Sequence, residues 1–188
     1  MAGATVGILG GSFNPVHYGH IEVARAVVRS GLAHEVWLSL SPRNPFKEQS
    51  GLMETSRRLV LLQQAVEGVD RVGWTDVELS LPVPSYMIDA LDTLRERYPH
   101  KEFKLVIGSD NLPGFERWKD WEKIITNYGL IVYPRGEAEV VLPPALEPYA
   151  RRVSVLNNVP LLPVSSTQIR NGELPSGGRY PLSGREDI

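Results

Sequence analysis

Short apolar runs alternate along this chain with stretches that have helical spacing. Thr5 to Leu9 is apolar and ends in Gly10-Gly11; its length and the glycines favour a buried strand. Ile21, Ala24, Val27 and Val28 then recur at helical spacing, with Gly31 as a stop. Val36 to Leu40 is a second strand, and Pro42 to Lys47 a loop. Thr55 suits the N-cap of a helix carrying Leu59, Leu62 and Val66 on one face. Val72 to Thr75 is a short strand. Ser85 to Tyr98 is a helix, with Ile88, Leu91, Leu94 and Arg95 at helical spacing. Phe103 to Ile107, Leu130 to Tyr133 and, more weakly, Val153 to Leu156 are β-like. Strands alternating with helices imply βαβ units, so the expected class is α/β with a mainly parallel, helix-covered sheet. From Asn171 to Ile188 the chain is rich in Gly, Pro and Ser, and an irregular tail is expected there.

Composition changes this picture mainly by exclusion. The 188 residues fit one domain, and 42% hydrophobic with 22% charged residues is an ordinary soluble balance. No apolar run approaches the ~20 residues that span a bilayer, and Met1 to Thr5 does not look like a signal peptide. There are no cysteines, which removes disulfides, zinc–thiolate sites and thiol nucleophiles and is compatible with a reducing cytoplasm. A net charge of −2 offers no global attraction to nucleic acid or to an anionic membrane. An anionic ligand would have to be held by a few placed cations and backbone N–H groups. Oligomeric state is left open, a homo-oligomer included.

The most specific such site is Gly10-Gly11-Ser12-Phe13-Asn14-Pro15-Val16-His17-Tyr18-Gly19-His20. In an α/β sheet, ligands bind beyond the carboxyl ends of the strands. Gly10 and Gly11 let backbone approach a phosphate closely, and the N–H groups of the helix opening near Gly19 can face an anion. His17 and His20, three apart, fall on one side of a first helical turn and can donate to oxygens that gain charge in a transition state. A His-x-x-His pair is also a metal motif, but no third strong ligand is spaced nearby.

Other segments add to it. Ser165 or Ser166 can cap a helix whose N–H groups suit a second phosphate, and Arg170 lies one turn further on the same side. Gly108-Ser109-Asp110 follows a strand, so its backbone can approach a nucleoside and Asp110 can meet ribose hydroxyls. Trp118 is a flat aromatic that could stack on a ring, whereas Trp121 reads as core.

Together these segments, from about Val6 to Arg170, resemble the nucleotidyltransferases whose Rossmann-like, doubly wound fold is shared with class I aminoacyl-tRNA synthetases. Within that group the match is to the nicotinate-nucleotide adenylyltransferase family. The resemblance implies a nucleotidyltransferase domain over 1–170 and transfer of the adenylyl group of ATP to nicotinate mononucleotide, giving deamido-NAD and pyrophosphate. It implies contacts to ATP from Gly10, Gly11, Ser12, Phe13, Gly108, Asp110 and Arg135. Ser165, Ser166, Thr167 and Arg170 would grip the β- and γ-phosphates, and Lys47 would be a phosphate-binding lysine; Arg43 is a weaker candidate. His17, His20, Lys47 and Arg170 would form the catalytic set. Asn14, Ser85, Tyr86, Met87 and Trp118 would receive the mononucleotide, with Trp118 on its pyridine ring and the Ser85–Met87 backbone on its carboxylate. Mg²⁺ would enter with ATP, held mainly by phosphate oxygens and water rather than by a protein metal site.

Two departures keep alternatives open. Met87 stands where the family has threonine, so nicotinamide mononucleotide remains an alternative acceptor. Gly172 and Pro175 cut short the helix expected after Arg170, which leaves room for a non-catalytic nucleotide-binding module. Trp118 and Ser85-Tyr86 argue against pantetheine-phosphate adenylyltransferases and cytidylyltransferases.

Overall fold

A computed structural model describes residues 3–42 and 51–157. Six parallel strands form one sheet: β1 (Ala4–Gly11), β2 (Glu35–Leu40), β3 (Val72–Thr75), β4 (Lys101–Gly108), β5 (Leu130–Tyr133) and β6 (Val153–Val155). Their order across the sheet is β3-β2-β1-β4-β5-β6, so the order reverses between β1 and β4. The expected α/β class is found, and all six apolar runs are strands.

The helices are α1 (Tyr18–Arg29), α2 (Thr55–Val66), α3 (Met87–Arg97) and α4 (Trp121–Asn127). Alternation along the strands divides the core in two. Leu9, Leu38, Val106 and Ile131 pack with Ile21, Ala24 and Val27 of α1 and Leu62 and Val66 of α2. Val6, Ile8, Leu105, Ile107 and Val132 pack on the other face with Ile88, Leu91 and Leu94 of α3 and Ile124 and Ile125 of α4. Period-2 strands sandwiched between period-3.6 helices leave both sheet faces dry. No helix among the described residues is long and apolar enough to cross a membrane.

Helix starts differ from expectation by a residue or two. Glu54, not Thr55, caps α2, and Thr55 is its first helical residue. Tyr86 caps α3, because Ser85 is drawn into a different hydrogen bond described below. Three 3₁₀ segments, Val77–Ser80, Ser109–Arg117 and Pro144–Arg152, lie where periodicity predicts no element. Two of them contain an internal proline, Pro113 and Pro148, which suits short, irregular turns over a regular helix.

Candidate active site

The carboxyl ends of β1 and β4 open a crevice where strand order reverses, the place where an open α/β sheet binds ligands. β1 ends at Gly11 and the chain turns sharply, with Phe13 in the left-handed region at φ 44°. The chain then enters α1 with His17 as its N-cap. The His17 N–H donates to His20 Nδ1 at 3.1 Å, and the two rings stack with centroids 3.7 Å apart. The edge of Phe13 meets His20 at 5.0 Å. The two histidines are on one side of the turn, as their spacing predicts.

The hydrogen bond fixes His20 chemically. An Nδ1 that accepts leaves the proton of a neutral imidazole on Nε2, so His20 presents Nε2 as a donor. His17 is buried, and its Nδ1 has no hydrogen-bond partner among the described residues. Burial, reinforced by the positive charge of Arg135, lowers its pKa to about 4, so His17 is neutral at pH 7.

Across the crevice, Gly108 ends β4. A side chain there would run into the Asp110 carboxylate and come within 3.2 Å of Arg135 Nε and Tyr133. Asp110 and Arg135 form an exposed ion pair, Nε to Oδ1 3.6 Å, and Arg135 Nη2 donates to the Tyr133 hydroxyl at 3.1 Å. The Arg135 backbone N–H donates to Ser109 Oγ at 2.8 Å, tying the ends of β4 and β5 together. The positive charge of Arg135 is felt at His17, which relates this rim to the His17–His20 turn.

The start of α3 completes the wall. A Cβ on Gly10 would lie 2.5 Å from the Met87 methyl, so Met87 covers the glycine next to the end of β1. The N–H groups of Met87 and Ile88, in the first turn of α3, have no partner inside the helix. Lys119 Nζ sits 4.9 Å above the Tyr86 ring and pairs with Asp89 Oδ2 at 2.9 Å, which holds the Trp118-Lys119 segment beside the α3 N-terminus. Trp118 is half-buried against Phe115, 5.3 Å between centroids. Trp121 packs on Phe115 and Tyr149, in the core role expected of it.

Two expected ligand residues have their side chains engaged by the protein itself. Asn14 Nδ2 donates to the Gly51 carbonyl at 3.0 Å, and its Oδ1 accepts the Met53 N–H at 2.9 Å. The Ser85 hydroxyl donates to Glu78 Oε2 at 2.7 Å, so its proton is not available to a ligand. Lys47, Ser165, Ser166, Thr167 and Arg170, together with Arg43 and the tail 171–188, lie outside the described residues. Among the described residues no three His, Asp or Glu side chains are grouped to hold a metal ion.

Three residues that motif reading passes over are built into this site. Glu78 is buried at 3% exposure and accepts hydroxyl hydrogens from Ser39 on β2 and from Ser85. Burial pushes its pKa up, against the pull of the Ser85, Ser39 and Ser41 hydroxyls. Lys119 is the second. Arg58 is the third, and it was detectable: it falls in the apolar stripe of α2, four residues before Leu62 and eight before Val66.

The sequence profile of the cytidylyltransferase-like family matches residues 8–172. A protein of Bacteroides fragilis named as a probable nicotinate-nucleotide adenylyltransferase is 42% identical over 173 residues, covering 90% of this chain and 82% of that protein. One of the same name from Porphyromonas gingivalis is 36% identical over 188 residues, covering 97% of this chain and 92% of the relative. The fold is similar to that of Plasmodium falciparum nicotinic acid mononucleotide adenylyltransferase complexed with NaAD. That match has a TM-score of 0.72 at 22% identity and covers 89% of this chain and 83% of that one. With the glycine-and-histidine turn at the β1/β4 switch in strand order and a family profile matching nearly its whole length, this chain belongs to the cytidylyltransferase-like family.

Proposed function

We propose that this chain transfers the adenylyl group of ATP to nicotinate mononucleotide, giving deamido-NAD and pyrophosphate in NAD biosynthesis, as a cytoplasmic enzyme. The observation that carries the reading is the meeting, at one crevice, of the His17–His20 turn, the Gly108–Asp110 rim and the start of α3. The relatives' names agree with it.

A phosphate oxygen of the mononucleotide attacks the α-phosphorus of ATP. One P–O bond forms, the bond to the β-phosphate oxygen breaks, and its electron pair leaves with pyrophosphate. A phosphate monoester is already a nucleophile near pH 7, so the protein supplies positioning and charge stabilisation. His20 Nε2–H donates to an α-phosphate oxygen. Neutral His17 lies beside it, and Gly10 and Gly11 let backbone come close. Asp110 takes the ribose hydroxyls. Arg135 balances phosphate charge from the rim, and Lys47 and Arg170, with the Ser165–Thr167 segment, take the leaving phosphates. Mg²⁺ would enter with ATP, held mainly by the substrate's phosphates and water, and would supply neutralisation of phosphate charge. The imidazoles and N–H groups of the turn suit phosphate oxygens, which is consistent with a metal carried by the substrate.

The carboxylate of the pyridine ring is received by backbone N–H at the start of α3, since Ser85 Oγ is committed to Glu78. Trp118 supplies the stacking face. The test is pyrophosphate release on mixing ATP, Mg²⁺ and either mononucleotide. Release with nicotinate mononucleotide at a higher kcat/KM than with nicotinamide mononucleotide is expected. Equal values would refute acid preference, and ATP binding without release would favour a binding module.

A further inference from the structure

Arg58 is completely buried, on the face of α2 that otherwise carries Leu62 and Val66. Its guanidinium has five N–H donors, and every one is taken by an oxygen of the protein. Nε donates to the Met53 carbonyl at 3.0 Å. Nη1 donates to the carbonyls of Ser12 at 2.6 Å and Ser41 at 2.8 Å. Nη2 donates to the Pro42 carbonyl and to Thr55 Oγ1, both at 3.1 Å. These oxygens come from the phosphate turn, from the exit of β2 and from the start of α2. Among the described residues no carboxylate pairs with it.

A side chain needed only to fill this space would be apolar, like Leu62 one turn on, since burying a cation among neutral groups is costly. With no donor left over, Arg58 cannot reach a ligand, and it can act only through the groups it holds. Asn14 joins the same two parts of the chain through Gly51 and Met53, so the turn is fastened to the α2 entry at two points.

We propose that Arg58 is a positioning residue for the phosphate turn: its planar fork sets Ser12 and the residues after it in the arrangement that ATP binding requires. The inference rests on the reading of the turn as an ATP site. Lysine can donate three hydrogen bonds from one atom and cannot reproduce five in a plane, so at least two of the five oxygens lose their partner in Arg58→Lys.

The experiment measures ATP affinity by calorimetry, together with Tm, for wild type, Arg58→Lys and Leu62→Ala. Leu62→Ala leaves a cavity in the same helix stripe and lowers Tm without removing a hydrogen bond to the turn. Expected is a rise in the ATP Kd of about tenfold for Arg58→Lys, and a Kd within about twofold of wild type for Leu62→Ala. In steady state the KM for ATP should rise while that for the mononucleotide moves less. An unchanged ATP Kd in folded Arg58→Lys, or an equal rise in both variants, would overturn the proposal. If Arg58→Lys does not fold, Thr55→Val keeps the cation and removes one acceptor; a rise of about threefold is expected, and no change overturns it. Wild-type protein that fails to bind ATP would overturn the parent reading and this proposal with it, whereas wild-type binding with unaffected variants overturns this proposal alone.

Discussion

Two buried ionisable residues flank β2, and they serve different halves of the crevice. Arg58, on the α1/α2 face, ties the turn at Ser12 to the exit of β2 and the start of α2 through four carbonyls and one hydroxyl. Glu78 holds the approach to α3 through the hydroxyls of Ser39 and Ser85. Carbonyls belong to the backbone, so the Arg58 network fixes where the chain runs. Hydroxyls belong to side chains that rotate, so the Glu78 network fixes one segment and tolerates adjustment. On the proposed function, the half anchored through backbone takes the phosphates and the half anchored through hydroxyls takes the pyridine ring. That suits a triphosphate of invariant shape on one side and an acceptor recognised by a few backbone N–H groups on the other.

The sharpest way to break this contrast is His20→Ala. Loss of one donor to developing charge should cut kcat on the order of a hundredfold or more, and equally for both mononucleotides. An unchanged rate in steady-state kinetics would remove His20 from the reaction.

His17 makes the phosphate half sensitive to acid. Its folded pKa, about 4, lies below the ordinary value of 6.5, so the unfolded chain binds the proton more readily. Stability is fully present above about pH 6.5 and falls as pH drops toward 4, by up to about 3 kcal/mol. Denaturant titrations from pH 4 to 8 should show this slope in wild type and a shallower one in His17→Gln.

Glu78→Leu should expose the half anchored through hydroxyls. It strands two buried hydroxyls, at a cost of about 2 kcal/mol by chemical denaturation, and should raise the KM for the mononucleotide more than that for ATP. Equal changes in both would erase the distinction between the halves. The smallest effect is expected from Lys119→Ala, since its pair with Asp89 is exposed. Stability should be essentially unchanged by chemical denaturation, because solvent screens the pair, while a rise in mononucleotide KM would report the loosened Trp118 segment.

The strands were readable because each is a short apolar run closed by glycine or a polar turn. The histidine pair was readable because its spacing alone puts both rings on one side. Asn14 and Ser85 were read as ligand contacts, and nothing local shows that their side chains are engaged by Met53, Gly51 and Glu78, which lie 7 to 39 positions away in sequence. Two of the 3₁₀ segments escaped because Pro113 and Pro148 interrupt any helical period, and Val77–Ser80 is too short to show one.

By itself the sequence determined the α/β class, the six strands and the glycine-and-histidine turn after β1, since local periodicity and glycine placement act over a few residues. Only the tertiary structure decided that strand order reverses at β1/β4, that Met87 roofs Gly10, that Glu78 is interior, and which oxygens surround Arg58. A charged residue is placed inside only when its full set of hydrogen-bond partners arrives from distant segments, and that assembly has no signature in any one of them.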